Sequence, residues 1–182
     1  MIHPNTALRW IDDRIGFGVF ATEVLPMGTL LVIPDVFDQR ISLASYLALD
    51  PLLQSQAGHF MYRDTEQTVL LSWDHARYLN HSCNANSLLT PFGFELVVRD
   101  IAPDEEICTD YGALNLLEPL TLDCNCRQCR ITLYPDDRVT MAPVWDEQID
   151  RALKRSATLD QPLAHLLSEE QRQRIGLPHA AV

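Results

Sequence analysis

In the first third of the chain, apolar residues come in short bursts separated by turn formers. Leu8-Arg9-Trp10-Ile11, Gly18-Val19-Phe20-Ala21 and Thr29-Leu30-Leu31-Val32-Ile33 read as strands, with Asp12-Asp13 and Pro26-Met27-Gly28 as the turns between them. This half is expected to be antiparallel sheet. Ser42 is placed to cap a short helix through Ala44, Tyr46, Leu47 and Leu49, with Pro51 shortly beyond it. Strands resume at Thr68-Val69-Leu70-Leu71-Ser72 and Phe94-Glu95-Leu96-Val97-Val98, and the turn Ala102-Pro103-Asp104-Glu105 leads into Ile107-Cys108-Thr109. After Cys129 the pattern changes. Tyr134-Pro135-Asp136-Asp137 reads as a linker, and Asp146 to Ala157 carries Ile149, Ala152 and Leu153 at helical spacing. A second helix is expected from Asp160, with Pro162 in its first turn and Leu163, Leu166 and Leu167 buried.

The pattern predicts a mainly β, β-rich α+β unit followed by a helical tail. A chain of 182 residues suits one domain with a modest appendage and can bury a real core. With 47% hydrophobic and 21% charged residues it belongs among globular proteins and not disordered ones. The net charge of -11 should repel a phosphate backbone and draw in cationic partners, so nucleic acid is not expected as a direct ligand. Met1 to Ala7 lacks the basic and then apolar blocks of a signal peptide, and no stretch approaches the roughly 20 apolar residues of a membrane span. The expectation is a soluble, intracellular protein, cytoplasmic or nuclear. Five cysteines without an export signal point to thiolate ligands or free thiols in a reducing compartment.

Two segments concentrate chemistry. The run from Arg77 to Asn86, with Asn80-His81-Ser82-Cys83 at its centre, offers donors and acceptors suited to an adenine edge and an amino-acid zwitterion. Cys124-Asn125-Cys126-Arg127-Gln128-Cys129 offers three thiols, enough for three corners of a tetrahedral metal site. Taken alone, the first run reads more often as a capped polar loop than as a site, whereas for the thiols free structural cysteines are the lesser alternative. Gly16-Phe17-Gly18 alone reads as a turn or bulge.

Together, Asn80-His81-Ser82-Cys83 and the downstream run Arg99 to Ile107 leading into Asp110-Tyr111-Gly112 resemble the SET-domain protein-lysine methyltransferases. That resemblance implies a SET-domain fold of small antiparallel sheets with a pseudoknot-like threaded C-terminal segment, here with a C-terminal helical appendage. It implies S-adenosyl-L-methionine as cofactor, bound by Gly16, Phe17, Gly18, Asn80, His81 and Tyr111, with Tyr111 catalytic and Tyr134 a further candidate for capping the adenine. Tyr62, Tyr78 and Thr109 are candidates for the substrate channel, as are Tyr46 and Phe60. Where the family often has Phe or Tyr two residues before the catalytic tyrosine, this chain has Thr109, which leaves the number of methyl groups added open.

The family's post-SET segment implies structural Zn2+ held by Cys83, Cys124, Cys126 and Cys129, although the spacing from Cys126 to Cys129 is two residues shorter than usual. Cys108 is read as a small buried strand residue. The implied organisation is a SET domain at 1–122, a post-SET zinc-binding segment at 123–134 and a helical tail at 135–182. The implied partner is a basic protein, a histone tail or another, with neither nucleic acid nor membrane bound directly. Competing readings are a non-catalytic module that binds basic peptides, and a thiol hydrolase using Cys83 or Cys108 with His75 or His81 and Asp110.

Overall fold

The computed structural model describes all residues except 123, 125, 127, 128 and 179–182, so parts of the expected zinc-binding segment and tail lie outside the described residues. The chain opens with an antiparallel hairpin of β1 (Thr6–Asp12) and β2 (Gly16–Ala21), in register from Thr6 opposite Ala21 to Trp10 opposite Phe17 and shifted by a bulge before Asp12 opposite Gly16. Asp12 closes the turn by accepting from the backbone N–H groups of Arg14 and Ile15 through one carboxylate oxygen. There follow β3 (Leu30–Val32), β4 (Gln39–Ser42), α1 (Leu43–Leu47), α2 (Pro51–Gly58), β5 (Met61–Arg63) and β6 (Thr68–Leu71). The signature region supplies β7 (Asn80–His81), β8 (Ser87–Leu89), β9 (Glu95–Val97) and β10 (Glu106–Thr109). The remainder holds β11 (Leu120–Thr121), β12 (Thr132–Leu133), α3 (Asp137–Thr140), α4 (Ala142–Ser156) and α5 (Glu169–Arg174).

The strands form three sheets. A seven-stranded sheet runs β1-β2-β10-β8-β9-β3, with β7 also paired to β10; β4-β6-β5 and β11-β12 are separate small sheets. The position of β10 decides what the fold can do. It lies antiparallel to β2 on one side and parallel to β7 and β8 on the other, with Cys108 opposite Asn80 and Thr109 opposite both His81 and Ser87. The two signature segments, far apart in sequence, are therefore immediate neighbours, as the threaded arrangement expected from the resemblance requires.

The helices depart from the sequence pattern at three points. The helix expected through Leu49 ends at Leu47, and Pro51 opens α2 instead of ending α1, because Asp50 caps Leu52 and proline fits the first helical turn. Helix α4 starts at Ala142, before the expected Asp146, with Pro143 in its first turn. The helix expected from Asp160 is reduced to one 3-10 turn, Ala164–Leu166, with Leu163 and Leu167 buried and Leu166 only partly so. Gln161 instead turns its buried side chain onto the strand region, accepting from Leu30 N–H and donating to the Gly28 carbonyl, and the next regular helix is α5, which starts at a Ser168–Gln171 capping box.

The tail packs into the same core as the strands. Trp145, Ile149 and Ala152 of α4, with Leu163, Leu167 and Ile175, cluster with Leu30, Ile33, Leu88, Phe94 and Leu96. Gly28 permits the closest approach: its φ is +99°, and a Cβ there would lie 2.8 Å from the Ala152 carbonyl oxygen. Ser156 of α4 donates to the Gly28 carbonyl at 2.8 Å. Because Ile149 is only 5% exposed inside this cluster, Ile149→Ala should cost about 2–5 kcal/mol, read as a lower midpoint in urea with an unchanged slope.

Candidate functional site

Two cavities open on either side of β10. The larger, of about 1180 Å3, is lined by Gly16 and Phe17 of the first hairpin, by Tyr78, Asn80 and His81, and by Glu106 and Tyr111. Its aromatic wall is continuous: Phe17, Tyr78 and Phe60 meet edge to face with centroids 5.8 and 5.3 Å apart, and Trp10, outside the lining, backs Phe17 at 5.2 Å. Asn80 is fixed within this wall by donating to the Phe17 carbonyl at 3.1 Å and to Glu106 Oε1 at 2.8 Å. Gly18 stands behind the same junction, where a Cβ would lie 2.6 Å from Ile11 Cδ1, 2.8 Å from Glu106 Oε1 and 3.0 Å from Asn80 Nδ2. Any larger residue there would displace the Asn80–Glu106 contact.

The smaller cavity, of about 320 Å3, is lined by Tyr46, Phe60, Tyr62, Leu79, Glu95 and Thr109, among others, and it too reaches Tyr111. Leu79 and Tyr111 thus belong to both walls. The Tyr111 hydroxyl donates to the Leu79 carbonyl at 2.7 Å, which holds the ring at the meeting point. Burial, with the nearby Cys108, Glu95 and Glu106, pushes the Tyr111 pKa up, so the phenol is neutral at any ordinary pH.

His81 lies between this tyrosine and the cysteines. Its Nδ1 accepts from the Tyr111 backbone N–H at 3.2 Å, so the proton sits on Nε2, which donates to Cys83 Sγ at 3.2 Å. Burial is the main influence lowering its pKa and favours this neutral ring. Cys83 approaches Cys124 at 3.8 Å, and Cys124 lies 3.1 Å from both Cys126 and Cys129. Among the described residues these thiols group with all sulfurs within 4.8 Å of one another, and tetrahedral zinc–thiolate bonds of about 2.3 Å would set sulfurs roughly 3.8 Å apart. Backbone N–H groups of Arg130 and Ile131 donate to Cys83 and Cys129 at 3.3 Å, as suits thiolate acceptors. The donor set and its spacing fit a tetrahedral metal ion.

Asp110, one residue before Tyr111, is 2% exposed and is satisfied from three directions. It accepts from Gly112 N–H at 3.0 Å, from the Arg130 guanidinium, and from the Trp145 indole N–H of α4 at 3.2 Å. Arg130 also reaches Asp137 at 3.1 Å.

Of the residues singled out in the sequence, Gly16, Phe17, Asn80, His81 and Tyr111 line the larger cavity, Tyr62 and Thr109 the smaller, and Tyr78 the larger one. Tyr134 is half exposed and lines neither. Cys108 has its thiol pushed up to about 12 by burial first and by Glu106 next, which leaves it protonated and inert as a nucleophile. Sequence reasoning missed Glu95, Glu106 and Arg130. Glu95 carried a readable signal, a single acid inside the apolar run Phe94 to Val98.

The SET domain family matches residues 16–112, more than half of the chain, and the chain belongs to that family. In fold it is similar to the methyltransferase domain of human histone-lysine N-methyltransferase SETMAR, at 17% identity and a TM-score of 0.50, covering 73% of this chain and 58% of that one. It is also similar to KRYPTONITE, solved in complex with mCHG DNA and SAH, at 20% identity and a TM-score of 0.48, covering 68% of this chain and 28% of that one. The chain therefore spans less than two thirds of either structure. No curated protein matches it significantly. No helix among the described residues is long and apolar enough to cross a membrane.

The Asp110 network makes a prediction independent of any ligand. Arg130→Gln strands a buried carboxylate beside the Trp145 indole. Since the Arg130 side chain is 21% exposed, the loss should fall near the lower end of the roughly 3–5 kcal/mol seen when one partner of a buried pair is removed. Thermal unfolding of the two proteins side by side measures it.

Proposed function

We propose that the chain is a protein-lysine methyltransferase, transferring a methyl group from S-adenosyl-methionine to the lysine side chain of a basic protein such as a histone tail. The observation that carries this reading is that two cavities of different character both reach Tyr111. The larger has the residues a nucleoside with a charged amino-acid arm needs: an aromatic wall, an oriented amide at Asn80, the Glu106 carboxylate and a glycine hairpin that leaves the backbone open. The smaller suits a long, narrow side chain entering from the opposite face. S-adenosyl-methionine, when bound, supplies an activated methyl group beside Tyr111.

This chain's residues have three tasks. The walls must align amine and methyl group, which supplies much of the rate in a displacement of this kind. Tyr111, held by Leu79, is placed to orient the amine and to exclude water at the junction. The aromatic and aliphatic part of the smaller cavity's wall, which removes an amine from water, favours its neutral form over an ammonium with its ordinary pKa of about 10.4. The acidic surface, with 25 acidic against 14 basic residues, favours the approach of a cationic segment. A cytoplasmic or nuclear setting accords with the free thiols.

Cys83, Cys124, Cys126 and Cys129 would hold a structural zinc ion in the 123–134 segment, ordering it beside the cofactor cleft. Metal analysis of purified protein should return one zinc per chain, and Cys83→Ser should lower both that ratio and the midpoint of thermal unfolding.

For the transfer itself, labelled S-adenosyl-methionine incubated with a panel of basic proteins should label at least one of them on lysine. Tyr111→Phe should reduce the turnover rate about 100-fold while leaving cofactor affinity within a few-fold. Tight cofactor binding with no labelled protein would instead favour a binding module for basic peptides.

A further inference from the structure

Glu95 is a carboxylate in an unusual place. It sits in β9 between Val32 of β3 and Leu89 of β8, is 8% exposed, and faces the smaller cavity. Ser87 donates to its Oε1 at 3.1 Å, and among the described residues it forms no ion pair. Beside it, Thr109 Oγ1 is buried in the same wall, turned toward the Glu95 carboxylate. Its charge reaches Tyr62 and Tyr111, both lining the cavity. A buried acid without a cation, on a cavity wall with a hydroxyl beside it, marks a place for a ligand that brings a positive charge and N–H donors.

Resting on the lysine reading above, we propose that Glu95 is a catalytic base at the inner end of the substrate channel, docking the lysine ammonium and accepting its proton, with Thr109 accepting a second N–H. The step balances simply. Lysine ammonium and Glu95 carboxylate become lysine amine and Glu95 carboxylic acid. The amine lone pair then forms the N–C bond to the transferred methyl group as the C–S bond breaks, its electron pair remaining on sulfur. The methylated product leaves as an ammonium, and Glu95 returns its proton to solvent once the channel empties. Burial raises the Glu95 carboxyl pKa, which brings it toward that of an amine desolvated in the same channel and makes the exchange feasible. The other titratable or charged groups on this cavity are Tyr46, Tyr62, Tyr111, His59, Arg63, Arg77 and Glu118. Arg63 is committed to the carbonyls of Asn115 and Glu66.

Glu95→Gln keeps the shape and the Ser87 contact, so it tests the charge. The first readout needs no turnover. With S-adenosylhomocysteine present, n-butylammonium, which is the end of a lysine side chain, should bind the wild type saturably by NMR titration. It should bind Glu95→Gln at least tenfold more weakly, and n-butanol should not discriminate between them. The second is stability. A buried carboxyl with a raised pKa stabilises the fold below its unfolded pKa and loses that contribution as pH rises through the folded value. Glu95→Gln should therefore melt above the wild type at pH 7–8, with the gap closing as pH falls.

The third readout is the rate. Turnover of Glu95→Gln should fall by about 100-fold or more at neutral pH and recover steadily as pH rises, while the wild type is flat over the same range. Equal butylammonium binding by the two proteins, a lower melting point for Glu95→Gln at neutral pH, or parallel pH–rate profiles would overturn the assignment. The two readings fail separately. Label on lysine with parallel profiles sinks the base alone, whereas Glu95-dependent butylammonium binding with no lysine labelled by the wild type sinks the methyltransferase reading alone.

Discussion

A buried carboxylate must be met by donors, and Asp110 draws its donors from parts of the chain that have no other reason to converge. Gly112 lies in the same turn, Arg130 follows the cysteine segment, and Trp145 stands on the first long helix of the tail. Leaving any of these donors out would strand negative charge at 2% exposure, a cost comparable to a large share of a domain's stability. The Asp110–Tyr111 turn is therefore tied both to the residue that follows the cysteine segment and to the tail. The strand before it is held with equal economy, because β10 is paired on both sides.

From that constraint follows the placement of Tyr111. Its backbone N–H is committed to His81 and its hydroxyl to Leu79, so neither ring position nor torsion is left to the ligand. His81 in turn spends its second nitrogen on Cys83. The Asn80–Cys83 segment accordingly divides its labour: Asn80 faces the larger cavity and Cys83 the thiol group, with His81 as the rigid spacer between them.

Much of this was legible in the chain. The first hairpin, the strands at Thr68, Phe94 and Ile107, and the Ser42 cap follow from alternation and turn chemistry, which act locally. The Asn80 and Asp110 segments were legible because their residue order resembles a family, and β10 sets them side by side. What was not legible depends on partners distant in sequence. Gln161 satisfies strand groups about 130 positions away (|i−j| = 131 and 133) and so ends a helix that local pattern favours. Trp145 lies just before the stretch whose spacing reads as helix, and nothing local shows that its indole reaches Asp110. Glu95 could be noticed but not interpreted, since only the fold shows that its strand borders a cavity instead of a closed core.

The chain just beyond the last cysteine carries strain in its backbone. Immediately after Cys129 and Arg130 the chain must reverse into β12, and it does so through Ile131 at φ +64°, a left-handed conformation that β-branched residues resist. Such a residue costs on the order of 1–3 kcal/mol and persists only where its surroundings hold it. Its side chain is 64% exposed and adds little, so the holding falls to the backbone: Ile131 N–H on Cys129, Arg130 N–H on Cys83, and the two-residue pairing of β12 with β11. Two of those three anchors are sulfur atoms, weak acceptors as thiols and strong ones as thiolates. The strained turn is thus stable in proportion to the thiolate character of the cluster. A coordinated metal, which deprotonates its thiols, would secure in one event the turn, the Arg130 guanidinium and, through it, Asp110.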